Sequence, residues 1–165
     1  MLRTPTKRAH RRWIIWFTLL LGLVLTIMPL PEWLADYRPN WLMLILIYWA
    51  MMLPQRVGIG TGWICGLLLD VLQGTLLGEN ALLAALVTFV TSQFHQRLRT
   101  FPLLQQCVFI FLLLGIQFII LVWIQGISGQ PIQGWYFGLP VITSAWIWPL
   151  VYSLLRWLQF RFKIS

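Results

Sequence analysis

The sequence predicts an all-α integral membrane protein of about six transmembrane helices, with both termini in the cytoplasm. Its 165 residues are 59% hydrophobic and 10% charged, where soluble domains carry about 25% charged residues. The apolar residues fall into six runs, at about 13–29, 40–53, 57–73, 79–95, 103–125 and 138–157, marked off by proline, glycine and charge. Cations alternate with those runs in the way that cytoplasmic loops are enriched in Lys and Arg. A chain of this length holds several helices of about 20 residues, enough to cross a hydrocarbon core of about 30 Å, and little besides. Function therefore resides in the bundle and its short loops.

Residues 1–12 form a basic cytoplasmic tail with Arg3, Lys7, Arg8, Arg11 and Arg12. The first run exceeds the apolar stretch of about 7–15 residues found in secretory signals, and Pro29-Leu30-Pro31-Glu32-Trp33 offers no small-residue cleavage site. It reads as a retained first helix, opening a membrane domain over 13–158. Arg56 lies between runs two and three, Arg97 and Arg99 between runs four and five, and Arg156, Arg161 and Lys163 at the C-terminal end, where 159–165 form a second short basic tail. The other connections hold Glu32, Asp36 and Arg38, then Glu79, then no charge over 126–134. Eleven of the twelve cations thus fall on one side, Arg38 being the exception. Run two is the shortest, about 21 Å of helix over 40–53. Runs two and three therefore form either two spans or a re-entrant hairpin, and both arrangements keep the termini inside.

The net charge of +8 does not point to nucleic acid, which needs one basic patch on a folded surface. Cys65 and Cys107 each sit inside an apolar run without C-x-x-C spacing, so neither a disulfide framework nor a metal site is implied. His10 and His95 fall on the cytoplasmic side, whereas Glu32, Asp36, Asp70 and Glu79 fall on the other. An acid and base pair must lie within hydrogen-bond reach, so no catalytic residue and no cofactor is expected. Trp13, Trp33, Trp41, Trp135 and Trp157 lie near run ends, where amphipathic rings favour the headgroup region. Thr18, Thr61, Thr88, Thr91, Ser92, Gln117, Thr143 and Ser144 could line a cavity, though hydrogen bonding between helices explains them more simply. Pro149 is expected to kink the last helix.

Run three carries the densest pattern, with Gly58, Gly62, Gly66, Asp70 and Gly74 at every fourth position. That spacing places them on one inclined ridge of a helix, where small residues let helices approach closely. Gly58-Ile59-Gly60-Thr61-Gly62 has neither the preceding strand of a dinucleotide site nor the lysine of a phosphate loop. Asp70 is the acidic residue inside an apolar run, where a carboxylate costs about 2.5–3.5 kcal/mol near mid-bilayer, so it should face protein. In Arg38-Pro39-Asn40-Trp41, Pro39 turns Arg38 away from helix and Asn40 can cap run two. Arg38 and Asp70 either contact each other or are separately solvated. The ridge and these four residues are the candidates for helix packing or partner contact.

The stretch Arg38-Pro39-Asn40-Trp41, Leu53-Pro54-Gln55-Arg56-Val57-Gly58, Gly66-Leu67-Leu68-Leu69-Asp70 and Gly74-Thr75-Leu76-Leu77-Gly78 resembles the MreD family of rod shape-determining proteins, most specifically over 38–85. The resemblance implies a non-enzymatic, multi-pass subunit of the bacterial inner membrane, working in cell elongation. It further implies MreC as first partner and, through the complex, MreB, RodZ, RodA and a class B penicillin-binding transpeptidase, together with membrane lipid and a possible homodimer. The family is similar in fold to the S component of energy-coupling-factor transporters, which leaves a substrate-binding component of a small-molecule transporter as the alternative.

Overall fold

The computed structural model describes residues 6–35, 37–74, 77–129 and 138–162, and the side chains of 12–34, 37–74, 77–129 and 138–162. The described residues are helical and connecting, without a strand: α1 (Thr6–Ile27), α2 (Glu32–Ala35), α3 (Trp41–Met52), α4 (Ile59–Gln73), α5 (Glu79–Gln93), α6 (His95–Thr100), α7 (Leu103–Ile127) and α8 (Leu139–Arg161). Each apolar run yields one helix of 12 residues or more. The short α2 and α6 arise inside connections that hydropathy treats as loop. α8 continues to Arg161, since no proline or glycine follows its apolar part. Pro149 lies inside it.

α7 and α8 are long and apolar enough to cross a membrane. α3, at 12 residues, rises only about 18 Å. It is also apolar on every side, and such a helix belongs in an interior. Leu42 through Met51 are all buried, with α1, α5, α6 and α8 packed around them. Tyr48 stacks edge-on against Trp49 and Tyr152, at 5.3 Å and 5.7 Å between ring centroids. Trp49 donates its indole N–H to Thr18 Oγ1 of α1 (2.9 Å), and Tyr48 donates its hydroxyl to Gln159 Oε1 of α8 (2.7 Å). Aromatic pairs of this geometry add about 0.5–1.5 kcal/mol beyond the area they bury.

Outside this core the apolar character is inverted. Trp13, Phe17, Val71, Leu104, Ile116, Trp123, Trp146 and Leu150 are all exposed, on α1, α4, α7 and α8. A water-soluble monomer rarely exposes contiguous apolar surface beyond a few hundred Å². A hydrocarbon surround removes that cost.

Chain connectivity sorts the charges by end. α1 starts, α3 ends, α4 starts, α7 starts and α8 ends at one pole, which carries Arg12, Arg56, Arg97, Arg99, Arg156 and Arg161. Asp70, Glu79 and Arg38 gather at the opposite pole, where α4 ends, α5 and α8 begin and α1 ends. Bonds between distant residues confirm the register, Asn40 with Ser144 at the start of α3 and α8 and Tyr48 with Gln159 towards their ends.

Helix caps, a Gly ridge and a polar cavity at one pole

α4 and α5 are antiparallel neighbours, and the ridge explains their closeness. A Cβ on Gly62 would stand 2.8 Å from the Ala84 carbonyl oxygen and press on Thr88. On Gly66 it would stand 2.5 Å from Ala81 Cα and from the Asn80 oxygen. Backbone cannot give way there as a flexible side chain can. The outer glycines of the pattern act otherwise: Gly58 precedes α4 in extended backbone and Gly74 closes it at φ 67°, and a Cβ on either would meet nothing within 4 Å. Left-handed glycine is the ordinary way to end a helix.

Asp70 faces protein and is 1% exposed. Its carboxylate sits on the start of α5. Oδ2 accepts from the amides of Gly78 (3.0 Å) and Ala81 (3.3 Å), and Oδ1 accepts from the amide of Asn80 (3.0 Å). The residue preceding α5 is Gly78, at φ 99°, which has no side chain to satisfy the orphan amides of a first helical turn. Asp70 supplies the missing cap from the neighbouring helix, and its negative charge lies at the positive end of the α5 dipole.

Arg38 performs the mirror-image task. Its guanidinium donates from Nη1 to the Thr26 carbonyl (2.6 Å), in the last turn of α1. A cation at a helix C-terminus complements the dipole in the same way. Asn40 does precede α3, yet its side chain makes no cap bond and its Oδ1 is buried without a partner among the described residues. Thr26 Oγ1 takes the capping part by accepting from the Leu42 amide (3.2 Å), while the Asn40 amide donates to Ser144 Oγ (2.9 Å). The Asn40 expectation fails because the approach of α1 and α8 supplies hydroxyls that sequence proximity cannot reveal. Pro39 is buried and Trp41 half-buried beside these bonds.

At the other pole Arg99 was legible only as a topology cation. It closes α3, donating to the carbonyls of Met51 (2.8 Å) and Met52. Gln106, 2% exposed, ties three segments together by donating to the Leu98 carbonyl (2.8 Å) and accepting from the Trp148 indole (3.2 Å). Of the expected interfacial tryptophans, Trp13, Trp33 and Trp157 point outward and Trp135 lies outside the described residues. Thr88 and Thr91 bond back to carbonyls four residues earlier on α5.

The pole with Arg38 also contains a cavity of about 290 Å³, walled by residues of α1, α4, α5, α7 and α8 and the segment before α3, among them Arg38, Asn40, Gln117 and Ser144. A second, apolar groove of about 510 Å³ runs between α1, α3 and α8 from Trp13 to Leu25.

A buried apolar helix sheathed by helices with greasy outer faces defines a helical membrane protein. The family model for rod shape-determining protein MreD matches residues 7–158, and the chain belongs to that family. It is 28% identical over 153 residues to the rod shape-determining protein MreD of Haemophilus influenzae, covering 90% of this chain and 94% of that one. No solved structure matches it significantly. Membership points to the rod-shape determining system.

Proposed function

We propose that the protein is a non-enzymatic, multi-pass subunit of the cell-elongation complex in the bacterial inner membrane, supporting lateral peptidoglycan synthesis and cell shape. The observation that carries this reading is family membership over nearly the whole chain. The physical character of the molecule supports it. The described polar groups serve largely as helix caps and interhelical ties, while much of α1, α7 and α8 presents bare apolar surface. Partners in the membrane can bind such faces through helix packing.

On this reading there are six spans with both termini inside, in the arrangement of S components. MreC is the first partner, and MreB, RodZ, RodA and a class B penicillin-binding transpeptidase are reached through the complex. Because α5 occupies Gly62 and Gly66, the partner-facing side of α4 is the opposite one, with Trp63, Val71 and Leu72 exposed. Depleting the protein in its rod-shaped host tests the proposal. Rounding and widening in both rich and minimal medium is the expected result. Normal rods with a growth defect relieved by one nutrient would replace it with the transporter reading.

A further inference from the structure

Four buried polar side-chain atoms lack a hydrogen-bond partner among the described residues: Arg38 Nε, Asn40 Oδ1, Arg56 Nη1 and Gln117 Oε1. Three of them belong to residues that wall the 290 Å³ cavity. Folded proteins leave few such groups unpaired, so three on residues that wall one void point to an occupant that a small side-chain rotation lets them reach. Gln117 is only 7% exposed, and its terminal amide turns on a soft torsion that can present Oε1 to that void.

The wall also prescribes the occupant's chemistry. Arg38 brings a permanent cation, and α8 begins here, with Pro140, Val141 and Ser144 of its first turns in the wall, at the positive end of its dipole. These call for an anionic oxygen group. Asn40 Oδ1 and Gln117 Oε1 are acceptors, and call for N–H or O–H donors. Water would answer the acceptors but leave Arg38 Nε without an anionic partner. Leu114, Phe118 and Val141 complete the wall with apolar surface, suited to a short methylene link. The volume lies at the small end of ligand pockets, which begin at roughly 300 Å³.

We propose that this cavity binds a compact group carrying an anionic phosphate and, one short link away, an ammonium N–H donor: phosphate towards Arg38 and the start of α8, ammonium towards Asn40 and Gln117. A phosphatidylethanolamine headgroup and a free aminoalkyl phosphate share this chemistry. The site is independent of the role in cell elongation, so either can fail without the other.

The test uses the full chain in nanodiscs of phosphatidylethanolamine mixed equally with phosphatidylcholine, with retained lipid read by native mass spectrometry. The choline headgroup keeps the phosphate and lacks N–H donors. A headgroup site retains the ethanolamine lipid in preference, and Gln117→Met reduces that preference about tenfold, the worth of one hydrogen bond to a charged group. In pure phosphatidylcholine nanodiscs, soluble phosphoethanolamine is then added during thermal unfolding. A rise in unfolding temperature for the parent but not for Gln117→Met assigns the site to a free ligand. Asn40→Leu is read in the same way, so a folding failure of one variant leaves the other to decide. No lipid preference together with no response to phosphoethanolamine overturns the proposal, as does a preference unchanged in both variants.

Discussion

Asp70 and Arg99 each close a helix that is not their own. Replacing Asp70 with Ala strands the amides of Gly78, Asn80 and Ala81 at a buried helix start, which should cost about 3 kcal/mol of stability. Asp70→Asn keeps one acceptor but loses the charge opposite the α5 dipole, and should fall between. Unfolding in mixed micelles, followed by near-ultraviolet circular dichroism, checks the ranking; a fully stable Asp70→Ala would refute the capping role. Arg99→Ala should lower stability by about 1.5–3 kcal/mol, with Arg99→Lys retaining part of it, because Met51 and Met52 are reached from two separate nitrogens of one planar fork. That Asp70 faces protein was readable from one carboxylate in an apolar run. Its partners were not, because they are backbone amides and every sequence has those.

Among the helices, steric room separates glycines that look alike in sequence. Gly66→Ala should push α4 from α5 and cost about 1–3 kcal/mol, as overpacking does. Gly115→Ala, on α7 with nothing within 4 Å of the added carbon, should be neutral or stabilise by up to about 1 kcal/mol through helix propensity. Steady-state protein level in membranes and thermal unfolding of the two variants measure this contrast. Equal effects would mean that the α4–α5 contact is looser than described. Four-residue spacing made the Gly62 and Gly66 ridge legible, but it could not say that Gly58 and Gly74 only punctuate α4. Gly22, whose added carbon would press on Ile45 Cδ1 at 2.7 Å, stands between Thr18 and Thr26 at the same four-residue spacing, a shorter signal of close packing in run one. The shortness of run two was legible too, whereas its position at the centre depends on which helices surround it.

For the molecule as a whole, the separation of cations from acids at opposite poles gives a topology that can be measured. Alkaline phosphatase fusions should be active after residue 36 and after residue 78, and inactive after residues 56 and 98 and at the C-terminus. Cytoplasmic reporters should show the reverse, as the positive-inside rule requires. Activity on the same side after residues 36 and 56 would instead indicate that α3 does not cross. The number of long helices was legible from hydropathy because each apolar run makes one. The shortness of α3 was legible with it, but not that α4 and α5 also stop at 15 residues each while α7 has 25.

The placement of α3 has a consequence in time. The ribosome makes this helix early, yet Ser144 and Gln159 lie 104 and 119 residues beyond Asn40, and Tyr152 and Gln159 are the groups that engage Tyr48. Until α8 emerges, the most apolar segment of the chain has one flank open to lipid and its tyrosine hydroxyl without that acceptor. Assembly of this core therefore waits for α8, and a nascent chain stopped before residue 139 should be cleared faster than the full chain, which pulse-chase labelling checks.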